Sequence, residues 1–406
     1  MKIVLISSLY GTHGGGAGVI AERLAQGLLA EGHSVAVITT GHSREPSTVE
    51  MGGVRCISFL SPNLYRVQDK DLHPLWQRVI WQSIDVHNPL TKKRLLEILR
   101  TEAPDIIHIH KIRGLSGAVW TASTSCLPGR VIQTCHDYES MSPDGLLRGR
   151  IGAMALRGYW PIRGYQLLRR NLSAGISFVT APSLLLLSRI KDSGLFPRAI
   201  ARVVPNTHGL TAAELRTIHQ ESNLFFMDHG RFLYLGRLEP EKGVLQLCEA
   251  FERAYAKVST IKLDIAGWGS LEAELRSHYG KHPAIHFLGM IEGETKENAL
   301  RHATAIVVPS LVDEAFGMVA VEAFAFGRPV IASRVGALPE LVRHGTTGWL
   351  VEPGNIEAWE SHLLFAAGLD NVARKRMSQA CQESSFEFAI DTVIKMYLEI
   401  YHKLRK

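Results

Sequence analysis

The chain has 406 residues, of which 46% are hydrophobic and 21% charged. This composition fits a folded protein of two or three domains and excludes a disordered, collagen-like or coiled-coil chain. The five cysteines form no C-x-x-C pair, so the sequence indicates neither a disulfide framework nor a thiolate zinc site and favours a reducing cytoplasm. The net charge of +6 leaves nucleic acid, a membrane surface and anionic substrates open as partners. We expect no signal peptide and no membrane-spanning helix, because the apolar runs are too short.

The first half of the chain alternates short apolar runs with helical periodicity, which predicts a parallel, doubly wound α/β sheet. A first strand at residues 2–8 leads into a glycine-rich loop and then into a helix that ends at Ala30. A domain boundary is expected at Asn206, so that residues 1–206 form the first domain. Later strands are predicted at 34–39, 105–110, 130–135 and 175–180.

The alternation restarts at Arg231 and predicts a second domain of the same class, residues 207–385. Residues 386–406 are predicted to be helical and to pack back towards the first domain. Two doubly wound domains are expected to face each other across a cleft at the carboxyl ends of their sheets, where ligands of such sheets bind. The strands of the second domain are predicted at 232–235, 262–266, 285–288, 305–308 and 329–332.

Two cations, Arg237 and Lys242, lie between the first predicted strand and helix of the second domain. Pro240 suits the first turn of a helix, so both cations lie where backbone N–H groups and the helix dipole also favour an anion. The segment therefore indicates a phosphate site. Two solvated surface cations are the alternative, and this segment on its own would favour them.

Two acids flank the start of a helix that is predicted to begin near Gly317. Glu314 precedes the helix, and Glu322 lies inside it between Val321 and Ala323. Eight residues at about 100° each leave the two acids roughly 80° apart if both are helical, so both can face one pocket. An acid in so apolar a helix needs a partner, because an unpaired buried charge is costly. An internal salt bridge is therefore the alternative to ligand binding.

The glycines around Gly15 and Gly16 fit neither the dinucleotide fingerprint nor the P-loop, so they indicate only a close approach of the backbone. His108 and His110 alternate along a predicted strand and are interpreted as satisfied core or cleft histidines rather than as a metal pair. His136 directly follows a buried strand and lies at the edge of the sheet. Its position leaves a functional and a structural role about equally open.

Taken together, these segments resemble the retaining family 4 glycosyltransferases of GT-B architecture, which have two Rossmann-like domains. The resemblance extends over nearly the whole chain and depends most on the Arg237–Lys242 pair and on the E-x7-E element from Glu314 to Glu322. The other matching segments are Gly15-Gly16, Gly32-His33, Pro104-Asp105, His136-Asp137, Val204-Pro205-Asn206 and Gly336-Ala337-Leu338-Pro339-Glu340.

The resemblance implies transfer of a hexosyl group, with retention, from a nucleotide-diphosphate sugar to a saccharide hydroxyl in polysaccharide or glycolipid synthesis. Arg237 and Lys242 would hold the diphosphate, Glu322 the ribose and Glu314 the donor sugar, and His136 would lie beside the transferred sugar. No metal and no resident cofactor are expected. The further donor-binding residues that the resemblance implies are Gly15, Gly16, Gly289, Phe316, Gly317, Met318 and Val319.

The positive charge belongs to the first domain, because residues 1–205 carry 24 Lys/Arg and 14 Asp/Glu whereas residues 206–406 carry 21 and 25. Residues 145–191 contain no acid and mix cations with Trp, Tyr and Leu, a pattern typical of an interfacial segment on anionic lipid. We therefore expect a cytoplasmic protein, peripheral at the inner face of the membrane, that acts on a lipid-linked acceptor such as a polyprenyl-diphosphate saccharide. An ordinary exposed face is the alternative. The residues assigned to this surface are Arg148, Arg150, Arg157, Trp160, Arg163, Arg169 and Arg170.

Three other functions share parts of this pattern. A nucleotide-sugar epimerase could share the two-domain architecture, but the E-x7-E element argues against it. A non-catalytic sugar-nucleotide-binding protein would usually carry a signal peptide and lack Arg237 and Lys242. A nucleic-acid binder could use the basic stretch, but no recognition module is apparent.

Overall fold

The computed structural model describes residues 1–11, 15–142, 160–222 and 229–406, and the chain divides into two compact units. Unit 1 contains Met1–Asn206 and Val393–Lys406, and unit 2 contains Thr207–Thr392. Both are α/β units built on a mainly parallel sheet, so the predicted fold class is confirmed. None of the helices in the described ranges has the length and hydropathy needed to cross a bilayer. All five cysteines lie in these ranges, and none forms a disulfide.

Unit 1 contains an eight-stranded sheet. Its strands are β1 (Lys2–Ile6), β2 (Ser34–Thr40), β3 (Ser47–Met51), β4 (Val54–Phe59), β5 (Ile106–Ile109), β6 (Val131–Thr134), β7 (Phe178–Ala181) and β8 (Ile200–Val203). Their order is β3-β4-β2-β1-β5-β6-β7-β8, and neighbours pair in parallel except for the antiparallel β3 and β4. The central β1 is apolar on both faces, as expected for a strand covered on both sides.

The helices of unit 1 have local sequence reasons for their starts and faces. Asn88 caps one helix by accepting hydrogen bonds from the amides of Leu90 and Thr91, and Ser183 caps another in the same way. The first helix buries apolar residues at i, i+4 spacing, as the sequence predicts. The helices are Gly15–Ala30, Leu75–Val86, Pro89–Glu102, Ala118–Cys126, Trp160–Leu172 and Leu184–Asp192, with a 3₁₀ turn at Val67–Leu72.

Unit 2 contains a six-stranded, wholly parallel sheet. Its strands are β9 (Arg231–Leu235), β10 (Lys262–Ala266), β11 (Ile285–Gly289), β12 (Ala305–Val308), β13 (Val330–Ser333) and β14 (Gly348–Val351). Their order is β11-β10-β9-β12-β13-β14. Phe232 and Tyr234 of β9 belong to one apolar core and Leu233 to another, because successive side chains of a strand point to opposite faces.

The helices of unit 2 cover both faces of this sheet. Short 3₁₀ turns at Pro240–Lys242 and Phe386–Phe388 precede two of them. The last helix, Ile390–Arg405, starts in unit 2 and continues into unit 1 from Val393. The remaining helices are Ala212–Ser222, Val244–Lys257, Glu272–Tyr279, Gly293–His302, Met318–Ala325, Leu338–Leu341, Ile356–Ala367 and Asn371–Ser385.

Candidate active site

The candidate donor residues of unit 2 lie at one edge of its sheet. β11, β10, β9 and β12 are neighbours and run parallel, so their carboxyl ends meet at this edge. The segment with Arg237 and Lys242 follows β9, Gly289 ends β11, and the loop with Glu314 follows β12. The sheet topology therefore brings together residues that are far apart in the sequence, at the edge where doubly wound sheets bind ligands.

Backbone packing holds the two loops against each other. Gly243 has φ 71°, and a Cβ added there would lie 2.0 Å from the carbonyl oxygen of Pro309. The amide of Leu311 also donates to the carbonyl oxygen of Glu241 at 2.8 Å. Only glycine fits such a contact at positive φ. Lys242, the residue before Gly243, is thereby fixed beside the loop that follows β12.

Lys242 and Glu314 form an ion pair at this edge. The distance from Lys242 Nζ to Glu314 Oε1 is 2.6 Å, and the Ser310 hydroxyl donates to the same carboxylate. Both charged side chains are only partly exposed. A Cβ on Gly336 would lie 2.2 Å from the backbone nitrogen of Glu314, and the Ala337 amide donates to the Glu314 carbonyl oxygen at 2.9 Å. The loop that carries Glu314 is therefore held on two sides.

Arg237 contributes an accessible cation at the same edge. Its side chain is 50% exposed and pairs with Glu241 at 3.4 Å, an exposed contact of little energetic weight. Its carbonyl oxygen accepts a hydrogen bond from the Tyr234 hydroxyl at 2.6 Å, which fixes the start of the loop. The guanidinium can therefore turn towards an anion at small cost, whereas Lys242 is already held by Glu314.

Glu322 lies in the helix Met318–Ala325 and pairs with Lys296, whose Nζ is 2.8 Å from Glu322 Oε2. The internal salt bridge considered from the sequence is therefore present. Lys296 belongs to the helix Gly293–His302, which follows β11, and sequence reasoning missed it. An ammonium group has three donors, so Lys296 can hold Glu322 and still donate to a ligand.

The helix Met318–Ala325 begins as predicted, with Gly317 as its N-cap residue at φ 122°. A Cβ on Gly317 would lie 2.8 Å from a methyl carbon of Leu338, so the chain enters the helix through a tight passage. Phe316 is buried against Phe388. Within the described ranges no side chain caps this helix, so the first amides, including those of Met318 and Val319, suit an anion.

The glycines at the start of the first helix of unit 1 differ in what they require. Gly15 has φ 64°, and a Cβ on Gly15 or Gly16 would meet no atom of the described residues within 4 Å. A Cβ on Gly18 would instead lie 2.8 Å from the carbonyl oxygen of Gly11. Packing within the protein therefore explains why position 18 is glycine. The space beside Gly15 and Gly16 is open, as expected for a loop that faces a ligand.

His136 lies at the end of a column of histidines. Its Nε2 is 2.9 Å from His110 Nδ1, and the ring of His110 lies 4.2 Å from that of His108. Burial, helped by the charge of Lys111 and opposed by Glu139, lowers the pKa of His136 to about 4. Burial also lowers the pKa of His108 to about 3 and that of His110 well below its usual value. The column is therefore uncharged at neutral pH.

The final helix contacts the His108 end of this column. Tyr401 Oη lies 2.7 Å from His108 Nδ1, and Thr134 Oγ1 lies 2.7 Å from His108 Nε2. Tyr397 contacts the same Thr134 hydroxyl at 3.1 Å. His108 is thus fully satisfied, which confirms its interpretation as a core histidine, whereas buried His110 has no hydrogen-bond partner for its Nε2 among the described residues. Tyr401 and Tyr397 are positioning residues that sequence reasoning did not single out.

A second polar network lies behind His136. Lys111 Nζ is 2.8 Å from Asp137 and 3.1 Å from Glu139. Burial alone would lower the pKa of Lys111, but the two carboxylates raise it, so the ammonium stays charged. Glu139 Oε1 also accepts hydrogen bonds from the amides of Ile112 and Arg113 at 2.9 Å. These contacts fix the segment that follows His136.

One residue assigned to the membrane surface was placed wrongly. Arg169 is buried, donates to the carbonyl oxygen of Glu139 at 2.8 Å, and lies over the rings of Trp120 and Tyr165. An arginine enclosed in this way supports the interior and cannot contact lipid. Arg163 and Arg170 of the same helix are exposed. The helix starts at Trp160, whose side chain lies outside the described residues, as do Arg148, Arg150 and Arg157.

Two protein-family models match the chain. The model described as "Glycosyl transferase 4-like domain" matches residues 15–207, and the model described as "Glycosyl transferases group 1" matches residues 216–383. The first match covers most of unit 1 and the second lies within unit 2. Together the two matches extend over most of the chain.

Relatives match over the full length or over about half of it. A Klebsiella pneumoniae protein, described as an uncharacterized 42.6 kDa protein in the cps region, is 25% identical over 99% of this chain and 100% of its own. A phosphatidyl-myo-inositol mannosyltransferase of Mycobacterium leprae is 34% identical over 42% of this chain and 45% of its own.

Solved structures of similar fold cover the whole chain. Sucrose-phosphate synthase from Thermosynechococcus elongatus matches with a TM-score of 0.72 and 20% identity, over 100% of this chain and 99% of its own. Anabaena Alr3699/HepE in complex with UDP matches with a TM-score of 0.69 and 16% identity, over 99% of this chain and 100% of its own. At these identities the likeness establishes the fold.

Proposed function

Because the chain belongs to the GT-B glycosyltransferases, with a domain pair of the family 4 type, we propose that it transfers a hexosyl group from a nucleotide-diphosphate sugar to a saccharide hydroxyl with retention. The observation that carries this proposal is the grouping of Arg237, Lys242 and Glu314 at one edge of the unit 2 sheet. We assign donor binding to unit 2 and acceptor binding to unit 1.

The chemistry needs positive charge beside the leaving group. When the bond between the anomeric carbon and phosphate breaks, negative charge develops on the departing diphosphate. Arg237, Lys242 and the amides of Gly317 to Val319 would stabilise that charge more in the transition state than in the ground state. Two cations beside the diphosphate can do this without a metal ion, so we propose a metal-independent reaction.

Retention follows in this proposal from attack on the face that the diphosphate leaves. The bond from the anomeric carbon to the phosphate oxygen breaks, the acceptor hydroxyl oxygen bonds to that carbon, and its proton passes to the departing phosphate. No enzyme carboxylate becomes covalently attached. Glu314 is already held by Lys242 and Ser310, which suits a group that orients sugar hydroxyls better than a free nucleophile.

His136 suits a neutral hydrogen-bonding role in this reaction. Its lowered pKa keeps the imidazole uncharged at neutral pH, so it would not repel the cationic character that develops on the sugar ring. Glu322 and Lys296 would contact the ribose, and the backbone around Gly289 would meet the base.

We further propose that the acceptor is lipid-linked and that the protein acts in the cytoplasm, peripheral at the inner face of the membrane. One relative comes from a cps region, and the name of another places its mannosyl transfer on phosphatidyl-myo-inositol. The excess of cations in residues 1–205 is consistent with an anionic surface.

A ligand screen tests the proposal. UDP-, GDP- and ADP-sugars are compared for protection against thermal unfolding, and the correct donor at 100 times its dissociation constant should add about 2.7 kcal/mol. Transfer with that donor is then run with and without EDTA, and the anomeric configuration of the product is read by NMR. Protection by no sugar nucleotide would contradict donor binding, an inverted product would contradict retention, and loss of transfer in EDTA would contradict metal independence.

A further inference from the structure

The helix Leu75–Val86 of unit 1 exposes large apolar side chains along one side. Leu75, Trp76, Val79 and Ile80 are 77%, 62%, 58% and 44% exposed. Their spacing of i, i+1, i+4 and i+5 places them on one stripe of the helix. Leu72, in the turn just before it, is also exposed. A contiguous apolar patch of this kind on a folded protein marks an interaction site.

The stripe is not needed to hold the helix in place. The opposite side does this, because Trp81 is buried and its indole N–H donates to the Tyr65 carbonyl oxygen at 2.7 Å. Asp85 is also buried and accepts a hydrogen bond from the Gly114 amide at 3.0 Å. These two anchors fix the rotation of the helix and leave the stripe facing outwards.

The exposed charge on the helix Leu75–Val86 itself is positive. The only acid in residues 72–86 is Asp85, which is buried, and Arg78 lies on the same helix. The helix Trp160–Leu172 contacts this helix through Gln82 and Tyr165, whose side chains are 3.4 Å apart, and its sequence contains no acid. That helix exposes Leu167 and Leu168 beside Arg163 and Arg170.

We propose that the stripe Leu75, Trp76, Val79 and Ile80 inserts into an anionic membrane, with Arg163 and Arg170 against the lipid phosphates. Tryptophan and aliphatic side chains on one helix face enter the boundary between headgroups and acyl chains, and nearby cations strengthen binding to anionic lipid. The proposal names the membrane as a partner of the proposed transferase. It rests on the proposed function only for the purpose of docking, which is to reach a lipid-linked acceptor. It adds an inserting element that lies outside the basic stretch at residues 145–191.

Vesicle flotation tests the proposal without any donor or acceptor. The full chain is floated at low salt with vesicles of phosphatidylcholine alone or with added phosphatidylglycerol. The variant Trp76→Ser/Val79→Ser should bind the anionic vesicles at least about tenfold more weakly than the unchanged protein. The control Phe365→Ser/Val372→Ser removes two exposed apolar side chains of unit 2 and should float like the unchanged protein.

A charge variant tests the electrostatic part of binding, and the Trp76→Ser/Val79→Ser variant tests insertion. Arg163→Glu/Arg170→Glu should lose binding to anionic vesicles, and the unchanged protein should bind them more weakly as salt is raised. Thermal unfolding of each variant checks that it is folded. Protection by the sugar nucleotide found in the donor screen checks the proposed function separately, since that site is assigned to unit 2.

Two results would overturn the proposal. Either the unchanged protein fails to float with anionic vesicles, or the Trp76→Ser/Val79→Ser variant floats as well as the control. If light scattering shows a dimer that this variant converts to a monomer while neither protein floats, the stripe binds a second copy of the chain instead of lipid. Failure of flotation with intact sugar-nucleotide protection would reject the membrane surface and leave the transferase proposal standing.

Discussion

The carboxyl edges of the two sheets carry different kinds of polar side chain. In unit 2 the edge holds ion pairs that are partly open to solvent, such as Lys242 with Glu314 at 2.6 Å. In unit 1 the edge holds a buried column of histidines, with His136 at one end and Tyr401 at the other. The ion pairs of unit 2 are charged, whereas the histidine column of unit 1 is neutral and has the charged Lys111, Asp137 and Glu139 beside it.

The difference shows that the net charge of a domain does not indicate the charge of its site. Residues 1–205 have an excess of cations, yet burial keeps the histidine column uncharged. Residues 206–406 have an excess of acids, yet two cations, Arg237 and Lys242, lie at the edge of the unit 2 sheet, each paired with a glutamate. Burial decides ionisation in the first case, and partial exposure with a nearby partner preserves charge in the second.

The largest expected effect comes from removing a cation of unit 2. Lys242→Ala or Arg237→Ala should lower kcat by about 10²- to 10³-fold, because each variant would lack a positive charge that stabilises the departing diphosphate. Steady-state transfer rates measure the loss. Arg253→Ala is the matched control, since Arg253 is exposed and pairs with two exposed glutamates, Glu249 on its own helix and Glu357 on the helix Ile356–Ala367. Unchanged turnover in both site variants would show that these two cations do not stabilise the transition state.

Substitutions in the histidine column of unit 1 should lower the transfer rate less. His136→Ala should lower kcat by about tenfold, the value of one uncharged hydrogen bond in the transition state. Tyr401→Phe should reduce the rate less but cost about 1 kcal/mol of unfolding free energy, because buried His108 loses a partner. Kinetics and urea unfolding of both variants separate the two effects. A loss in His136→Ala as large as in Lys242→Ala would mean that the two edges do not differ as proposed.

Gly16 offers a test in which stability and binding should move in opposite directions. Gly16→Ala should raise the unfolding free energy by about 0.5 to 1 kcal/mol, since Gly16 is helical and an added Cβ would meet no atom in the part of the chain that the structure describes. If the donor phosphates approach this loop, the KM for the donor should rise severalfold. Gly18→Ala is the control, and it should destabilise the fold because of the Gly11 carbonyl oxygen. An unchanged KM in folded Gly16→Ala would exclude donor contact there.

The last prediction concerns stability and its pH dependence, with no expected effect on catalysis. Burial raises the pKa of Asp85 from 3.8 to about 7, so folding retains a proton that the unfolded chain releases above about pH 4. The unfolding free energy of Asp85→Asn relative to the unchanged protein should therefore rise between pH 5 and pH 8, by on the order of 2 kcal/mol. Urea unfolding at both pH values measures it. Exposed Asp192→Asn is the control, and a pH-independent difference for Asp85→Asn would contradict a raised pKa.

The fold class was predictable from the sequence because buried parallel strands are continuous apolar runs. The ten strands predicted in chain order are all present, with ends displaced by up to three residues. The sequence prediction missed β3, β4, β8 and β14. β3 is exposed along its whole length and β8 is mostly only half-buried, so edge strands such as these lack the apolar run that identifies a central strand.

The candidate site was predictable in part. Arg237 and Lys242 stand at a strand end and a turn, which local sequence identifies. Their supporting partners are distant, since Lys296 is 26 residues from Glu322 and Tyr401 is 293 residues from His108. A local sequence pattern does not indicate which distant side chain will pack against Glu322 or His108. These partners are therefore identified only in the folded chain.

The sequence by itself determined the alternation of strands and helices, the division after Asn206, and the cations beside β9. Only the tertiary structure decided which polar residues are buried, and therefore which are charged or accessible. Arg169 lies in a basic, apolar stretch like its neighbours, yet it is enclosed by Trp120 and Tyr165. The physical reason is that burial depends on segments packed from elsewhere in the chain, whereas periodicity and composition describe only the segment itself.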